Sequence, residues 1–265
     1  MNQNHFTKPV AQPATTRRAV ITGASSGIGA ATTRTLAAQG WEVLACARSF
    51  EKLAQLAAEC GANVIPVELD ITNPDDVAAL AASVDRLDLL VNNAGAAKPS
   101  ARVLESSPQD WEWMFAVNVT GTLRITQALT PALLASNNAL VVVICSMASQ
   151  DTAAGGGGYA AVKAAESTMT TLLRKEFPLH APIRITEINP GRVETDFHLH
   201  TFEGDAEKAA AIYRNRGAGI TPLQPGDIAE CIRWLTTLPA RMNIDIMNVV
   251  PVDQVNPGVG PRRSA

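Results

Sequence analysis

Short apolar runs alternate with longer alanine-rich stretches of helical spacing along nearly the whole chain, and this alternation constrains the fold more than any other feature. RAVIT (18–22) reads as a strand, and GIGAATTRTLAAQ behind the next turn as a helix ended by Gly40. WEVLACA (41–47), NVIPVEL (63–69), LDLLVNN (87–93), NALVVVICS (138–146), PIRITEINP (182–190) and DIMNVV (245–250) read as further strands. Helices are expected over 50–60, ended by Gly61, and over 73–83, with Asn73 as N-cap and Pro74 at the first position. Three more are expected over 107–136, interrupted late by Pro131, over 158–177 and over 224–238. Strands that are apolar throughout are buried on both faces, and helices between them imply parallel pairing. The expected fold class is α/β: a single doubly wound parallel sheet of about seven strands with helices on both faces. Ligands of such sheets bind outside the carboxyl ends of the strands.

Length and composition set the bounds. At 265 residues and 28.0 kDa, with 46% hydrophobic residues, the chain suits one large domain and is short for two. That domain is placed at 17–255. The polar segment 1–16, with Pro9 and Pro13, reads as a disordered N-terminal extension, and 256–265 as a mobile tail. A net charge of −3 offers no basic surface to nucleic acid. The four cysteines (Cys46, Cys60, Cys145 and Cys231) show neither C-x-x-C spacing nor a Cys/His cluster, so no metal site is expected. Reduced core cysteines, no signal peptide and no apolar run of spanning length together suggest a cytoplasmic protein that does not engage a membrane.

The first strand runs directly into Thr22-Gly23-Ala24-Ser25-Ser26-Gly27-Ile28-Gly29. Glycines here let the backbone turn tightly against a pyrophosphate while the following helix aims its N-terminus at the anion, and Ser25 and Ser26 can add hydroxyl donors. The spacing is G-x-x-x-G-x-G, with no Walker lysine, which disfavours a P-loop nucleotidase. A Gly-rich turn opening the first βαβ unit makes the sheet Rossmann-type. The second strand ends at Ala47 and is followed by Arg48 and Ser49. An NAD-selective site usually places an acid there for the ribose 2′-hydroxyl. Arg48 would instead pair with a 2′-phosphate, with Ser49 adding a hydrogen bond, which points to NADP(H).

Tyr159 and Lys163 are four residues apart, and Tyr159 follows Ser146 by thirteen. One helical turn stacks the phenol and the ammonium on one face. A cation beside a phenol lowers its pKa and makes it a usable proton donor and acceptor. A serine at a strand end could hydrogen-bond the same substrate oxygen. Taken alone, Ser146 could equally cap its strand, and Asn118 could bond its own helix backbone. Asp70 could contact an adenine or simply begin a turn. Asn92 and Asn93 are expected to bridge neighbouring strands.

Taken together these residues resemble the short-chain dehydrogenase/reductase family, over roughly 18 to 250. T-G-x-x-x-G-I-G at 22–29 resembles its cofactor signature, Asn92-Asn93-Ala94-Gly95 its adenine-side motif, and Asn189-Pro190-Gly191 with Val193 and Thr195 its nicotinamide-side loop. Asn118, Ser146, Tyr159 and Lys163 match its catalytic tetrad. The resemblance implies Tyr159 as general acid or base, and Lys163 as the residue that lowers its pKa and binds the nicotinamide ribose. It implies Ser146 as the anchor of the substrate oxygen and Asn118 as holder of a water joining Lys163 to solvent. Asp70 and Ile71 would lie against the adenine. The last third, through GITPLQPGDIAECIRWLTTLPARMNIDIMNVVPVDQ, is similar to bacterial NADP-dependent 3-hydroxy acid (serine/allo-threonine) dehydrogenases. The family also implies a homotetramer, or a dimer, built through helices at about 110–135 and 157–177.

Residues 197–217 read as a substrate lid, with Arg192, Arg214 and Arg216 as candidates to clamp a carboxylate and Arg192 the one assigned to the substrate. His198 and His200, two apart, do not form a metal site. The run Gly155–Gly158 places no bulky side chain before Tyr159 and is expected to allow close backbone approach or loop motion beside the substrate. The function expected is hydride transfer between NADP(H) and a secondary alcohol or ketone, a small molecule and possibly a 3-hydroxy acid. A bulkier or cyclic ketone and a non-catalytic NADP(H) sensor are the alternatives.

Overall fold

The computed structural model describes residues 16–99, 101–150, 157–177, 183–217 and 219–254, the side chains of 212–217 excepted. Of the expected extension only residue 16 is described, and the expected tail lies outside the described residues. Seven parallel strands form one sheet in the order β3-β2-β1-β4-β5-β6-β7. They are β1 (Arg18–Thr22), β2 (Glu42–Ala47), β3 (Val64–Glu68), β4 (Leu89–Asn92), β5 (Leu140–Ile144), β6 (Arg184–Pro190) and β7 (Ile246–Val249). The strand order reverses at β1, which pairs with β2 on one side and β4 on the other. Doubly wound sheets open a crevice at that switch point, at the carboxyl ends of the strands.

Side chains along the strands alternate between two cores. Ala19, Ile21, Val43, Ala45, Leu89, Val91, Leu140 and Val142 face one side. There they meet Leu36 of α1 (Gly27–Ala38), Leu53 of α2 (Phe50–Cys60), and Ile228, Ile232 and Leu235 from the C-terminal helix, Pro225–Thr237. Val20, Leu44, Leu90, Val141 and Val143 face the other side. They pack on Val77 and Leu80 of α3 (Pro74–Ala82) and on Ile125, Leu129 and Leu133 of the helix Thr122–Leu134. Each fully buried aliphatic side chain contributes about 1.5–3 kcal/mol.

Local signals set the element ends. Asn73 caps α3, its side-chain oxygen accepting from the Asp75 amide at 3.0 Å, and Pro74 follows at the first position. The C-terminal helix starts with a reciprocal box between Gln224 and Asp227.

The helix expected over 107–136 is three segments: α4 (Pro108–Phe115), a π-helical turn (Ala116–Gly121) and α5 (Thr122–Leu134). The Asn118 side-chain amide donates to the Met114 carbonyl at 2.8 Å. In an α-helical ladder that carbonyl receives the Asn118 backbone N–H, so a side chain inserted there favours the wider i→i+5 turn. Helix α6 (Gly157–Glu176) leads to β6. The expected lid forms α7 (Phe197–Thr201) and α8 (Ala206–Gly217), and the C-terminal helix is α9. No helix among the described residues is long and apolar enough to cross a membrane. All four cysteines are free thiols, and burial raises Cys46 and Cys145 to about 12.

Candidate active site

A cleft of about 750 Å³ opens at the carboxyl ends of β1 and β4. Its floor is the turn between β1 and α1. Gly23 adopts φ +65°, and a Cβ there would lie 2.9 Å from the Ala94 Cα. A Cβ on Gly29 would lie 2.3 Å from the Gly23 carbonyl oxygen. Glycine is therefore required at both positions, by backbone conformation at the first and by close approach at both. Ser25, Ser26, Gly27 and Ile28 line the cleft, and Ser26 precedes α1 without its hydroxyl capping the first turn. The N–H groups of that turn face an anion site. Thr195 reaches over from the loop after β6, its Cγ2 3.1 Å from where a Gly27 Cβ would stand.

Arg48 and Ser49 line the far wall, at the end of β2. Lys52 joins them from the first turn of α2. The sequence reading missed this second cation, although its i+4 spacing from Arg48 was the available signal. Asp70 and Ile71 line the same wall. The Asp70 Oδ1 accepts from the Thr72 amide at 2.8 Å and hydroxyl at 2.7 Å, so its side chain does begin a turn. Burial alone would raise its pKa, but these bonds, with Arg48 and Arg124 nearby, hold the carboxyl below its ordinary value. Ala94 and Gly95 line the cleft, and Asn92 does not. Asn92 is buried with its amide donating to Thr126 Oγ1 at 2.9 Å, on the α5 side. It joins a strand to a helix, a correction both to strand bridging and to cofactor contact. Period-two alternation turns it away from the side that Asn93 faces. Asn93 is the strand bridge, its Nδ2 donating to the Thr22 and Gly23 carbonyls at 3.0 and 3.1 Å.

The four tetrad residues stand behind the cleft lining, Lys163 and Asn118 against Gly95 and Tyr159 against Phe197. Ser146 follows β5 in extended conformation, its amide donating to Asn189 Oδ1 at 3.2 Å. Its hydroxyl oxygen accepts from the Ala148 amide at 3.1 Å, and the hydroxyl is close enough to the Tyr159 phenol to pull its pKa down. Tyr159 stands in the first turn of α6, with the Phe197 ring of α7 tilted against it at 5.5 Å between centroids. Burial of the phenol hydroxyl raises its pKa; Lys163 and Ser146 pull it down without cancelling that rise. The lowering expected from Lys163 is present, but desolvation outweighs it. Lys163 is buried, donating to Glu166 Oε2 at 2.6 Å and to the Ile144 carbonyl at 3.1 Å. Burial works against its charge, yet Glu166, with Tyr159 and Cys145, raises its pKa overall. Glu166 was not foreseen.

Asn118 is fully buried in the π-turn. Its amide also donates to the Ala96 carbonyl at 2.8 Å, and its Oδ1 accepts from the Ala96 amide at 3.2 Å. The side chain clamps the strand-end loop at Ala96 as well as its own helix, so the backbone alternative describes part of what it does. A Cβ on Gly95 would lie 2.9 Å from Asn118 Oδ1 and 3.4 Å from Lys163 Nζ. Asn118 and Lys163 therefore stand directly behind Gly95 of the cleft lining.

The nicotinamide-side loop divides. Thr195 lines the cleft, whereas Pro190, Gly191, Arg192 and Val193 do not. Pro190 is the buried end of β6 and pairs with Val249. Gly191 donates to the Val249 carbonyl, the Arg192 amide to Gln254 Oε1 at 2.8 Å, and Val193 bridges to Leu223. These ties make 190–193 a structural junction with β7. From the lid, Phe197, His200, Thr201 and Glu203 line the cleft. Lys98 spans its mouth, bonded to Glu203 at 3.3 Å and 5.0 Å from the Trp113 ring centre. The Arg214 and Arg216 side chains, and Gly155 and Gly156, lie outside the described residues. A Cβ on Gly158 would meet Met114 at 2.5 Å, so that glycine serves the approach of α6 to α4 and not the substrate. Among the described residues no group of His, Cys, Asp and Glu could hold a metal ion.

Known proteins agree with this layout. The profile of the short chain dehydrogenase family matches residues 17–206. An uncharacterized oxidoreductase of Mycobacterium tuberculosis is 45% identical over 240 residues, covering 91% of this chain and 93% of the relative. An NADP-dependent 3-hydroxy acid dehydrogenase of Escherichia coli is 36% identical over 250 residues, covering 92% and 98%. The solved closed form of a serine dehydrogenase complexed with NADP+ superposes with a TM-score of 0.84 at 34% identity, covering 93% of this chain and all of that one. A profile match spanning most of the chain, and relatives aligned over nine-tenths of it, make this protein an enzyme of the short-chain dehydrogenase/reductase family.

Proposed function

We propose that the chain is an NADP(H)-dependent oxidoreductase transferring hydride between the nicotinamide and a secondary alcohol or ketone, with 3-hydroxy acids as its substrate class. The observation that carries this reading is a cleft lined by Arg48 and Lys52 on one wall, whose lining residues Gly95 and Phe197 stand against Lys163 and Tyr159 respectively. The cleft suits a dinucleotide phosphate. Its glycine turn has no room for side chains, α1 offers N–H groups to a pyrophosphate, and cations stand where an NAD site has an acid. Relatives named as NADP-dependent 3-hydroxy acid dehydrogenases and as serine 3-dehydrogenase support both cofactor and substrate class.

When bound, the nicotinamide supplies or accepts the hydride. The protein holds it and moves the proton. Arg48, Ser49 and Lys52 receive the 2′-phosphate, and Ser25, Ser26 and the α1 N-terminus the pyrophosphate. Ala94 and Gly95 leave room for the adenosine ribose, next to Asp70 and Ile71. Lys163 spends two of its N–H groups on Glu166 and Ile144, so an ammonium retains a third for the nicotinamide ribose or a water. The Ser146 hydroxyl binds the substrate oxygen. Tyr159 Oη gives that oxygen a proton in reduction and removes it in oxidation. Phe197 covers the phenol and limits water there.

The pH dependence follows in sign. Oxidation needs the phenolate, so with a raised phenol pKa its rate climbs toward alkaline pH. Reduction needs the neutral phenol and declines over the same range. The glycine run that left a bulkier ketone open gives it no support where it is described, since Gly158 is committed to helix packing. A sensor would have no use for the buried Tyr159–Lys163 arrangement. The test is Tyr159→Phe, assayed by reduced-nicotinamide absorbance with serine, allo-threonine, other 3-hydroxy acids and plain secondary alcohols. Turnover should fall about 10²–10⁴-fold with NADPH binding retained; undiminished turnover would overturn the mechanism. Plain alcohols turned over as well as the hydroxy acids would overturn the substrate class.

A further inference from the structure

Glu166 stands on α6 three residues beyond Lys163, with a side chain only 1% exposed. Its Oε2 accepts from Lys163 Nζ at 2.6 Å and its Oε1 from Thr122 Oγ1 at 3.2 Å. Thr122 opens α5 directly after the π-turn that carries Asn118, so one carboxylate links the ammonium to the element beside it. Burying a carboxylate is costly unless it is paired, and packing alone would be served by an aliphatic residue at this position. The 2.6 Å bond accounts for its presence.

We propose that Glu166 is a positioning residue of the proton-transfer site, fixing the Lys163 ammonium and through it setting the proton affinity of the Tyr159 phenol. This rests on the reading of Tyr159 as general acid and base. An ammonium held on its own would favour the phenolate strongly; a carboxylate in contact with that ammonium cancels part of its field. Glu166 thus keeps Lys163 charged while holding the phenol closer to its protonated form. The directions agree: for Tyr159 burial is the main cause of the rise and Glu166 adds to it, while Glu166 raises Lys163 against the effect of burial.

The other groups facing the pair are few. From β5, Cys145 Sγ donates to the Lys163 carbonyl at 3.2 Å, and with its thiol raised to about 12 it is neutral. From β6, the Glu187 carboxylate accepts from Ser167 Oγ at 2.9 Å and from Asn189 Nδ2 at 2.8 Å. From α7, the Phe197 ring faces Tyr159, with His198 edge-on behind it. The π-turn and α5 contribute the uncharged Asn118 and Thr122.

The chain has two tyrosines, so phenolate absorbance can be resolved by subtraction without cofactor or turnover. The experiment titrates wild type against Tyr159→Phe, and Glu166→Gln against the Glu166→Gln/Tyr159→Phe double variant. The Tyr159 midpoint should fall by about one pH unit in Glu166→Gln, and the acid limb of the oxidation profile should move down with it. Glu166→Asp, which keeps the charge on a shorter stem, should lie between. Coincident midpoints in wild type and Glu166→Gln, both folded by circular dichroism, would overturn the proposal. A purely structural role would lower the melting temperature and leave the midpoint in place. Should Glu166→Gln not fold, an unmoved midpoint in folded Glu166→Asp overturns the proposal equally. Failure here is distinct from failure of the catalytic reading, which Tyr159→Phe decides by turnover alone.

Discussion

Single residues at the cofactor end make the sharpest claims. Arg48 was legible because the acid usual at the end of the second strand is absent. Lys52 was not, because a lysine on a helix surface looks like any solvated charge until α2 brings its first turn to the same wall. If both meet a 2′-phosphate, Arg48→Ala should weaken NADPH about 10–100-fold, the worth of a charge-assisted pair, with NADH nearly unchanged. Lys52→Ala should act in the same direction and less, since a lysine pairs as a point charge and not as a fork. Dissociation constants from fluorescence quenching check both, and equal losses for NADPH and NADH would refute the role. Asn92 was assigned by motif membership, yet neighbours in a strand point to opposite faces, and Asn93 is the one that turns toward the glycine turn.

Secondary-structure elements were legible where burial is uniform. The apolar runs became β1, β2, β4 and β5 with ends shifted by a few residues at most, because a central parallel strand is buried on both faces; β6 kept its place between β5 and β7 although it carries the buried Arg184, Glu187 and Asn189. The π-turn left no periodic trace; it depends on Asn118 reaching both Met114 and Ala96, a tertiary fact. The break matters for function, since it seats Asn118 beside Gly95 and Lys163. The β1–α1 turn carries this scale's prediction. Gly29→Ala places a Cβ against the Gly23 carbonyl, which is backbone and cannot swing aside. The variant should lose about 1–3 kcal/mol of stability and bind NADPH at least about tenfold more weakly, since α1 must back away from the turn. Thermal melting and fluorescence titration measure the two effects. Wild-type affinity in Gly29→Ala would mean that the turn does not cradle the pyrophosphate.

At the scale of the molecule, the exposed apolar side chains include two groups on outer elements. Along α4 and α5, Trp113, Phe115 and Leu134 are 37%, 46% and 42% exposed, and Leu172 on α6 is 51% exposed. At the far end, β7 pairs among the described residues only with β6, and it and the segment after it expose Ile246, Val250 and Val252. An open apolar strand edge invites a second copy unless something covers it. Two separate self-complementary faces generate a dimer of dimers, whereas one face alone stops at a dimer. Light scattering should therefore give four times the 28.0 kDa chain mass. Phe115→Glu with Leu172→Glu should remove the helical face and leave dimers through β7; Ile246→Glu with Val252→Glu should leave dimers through the helices. A monomeric wild type would refute both contacts, and a tetramer surviving either double substitution would refute that face. The two outcomes also bear on catalysis differently. The helical face includes α4 and α6, which carry Trp113 at the cleft mouth and the Tyr159–Lys163 turn, so its loss should lower turnover. The β7 face meets the site through Asn248, whose Oδ1 accepts from Asn189 Nδ2 at 3.1 Å, and neither Ile246 nor Val252 lines the cleft, so dimers lacking that face should retain most of their activity.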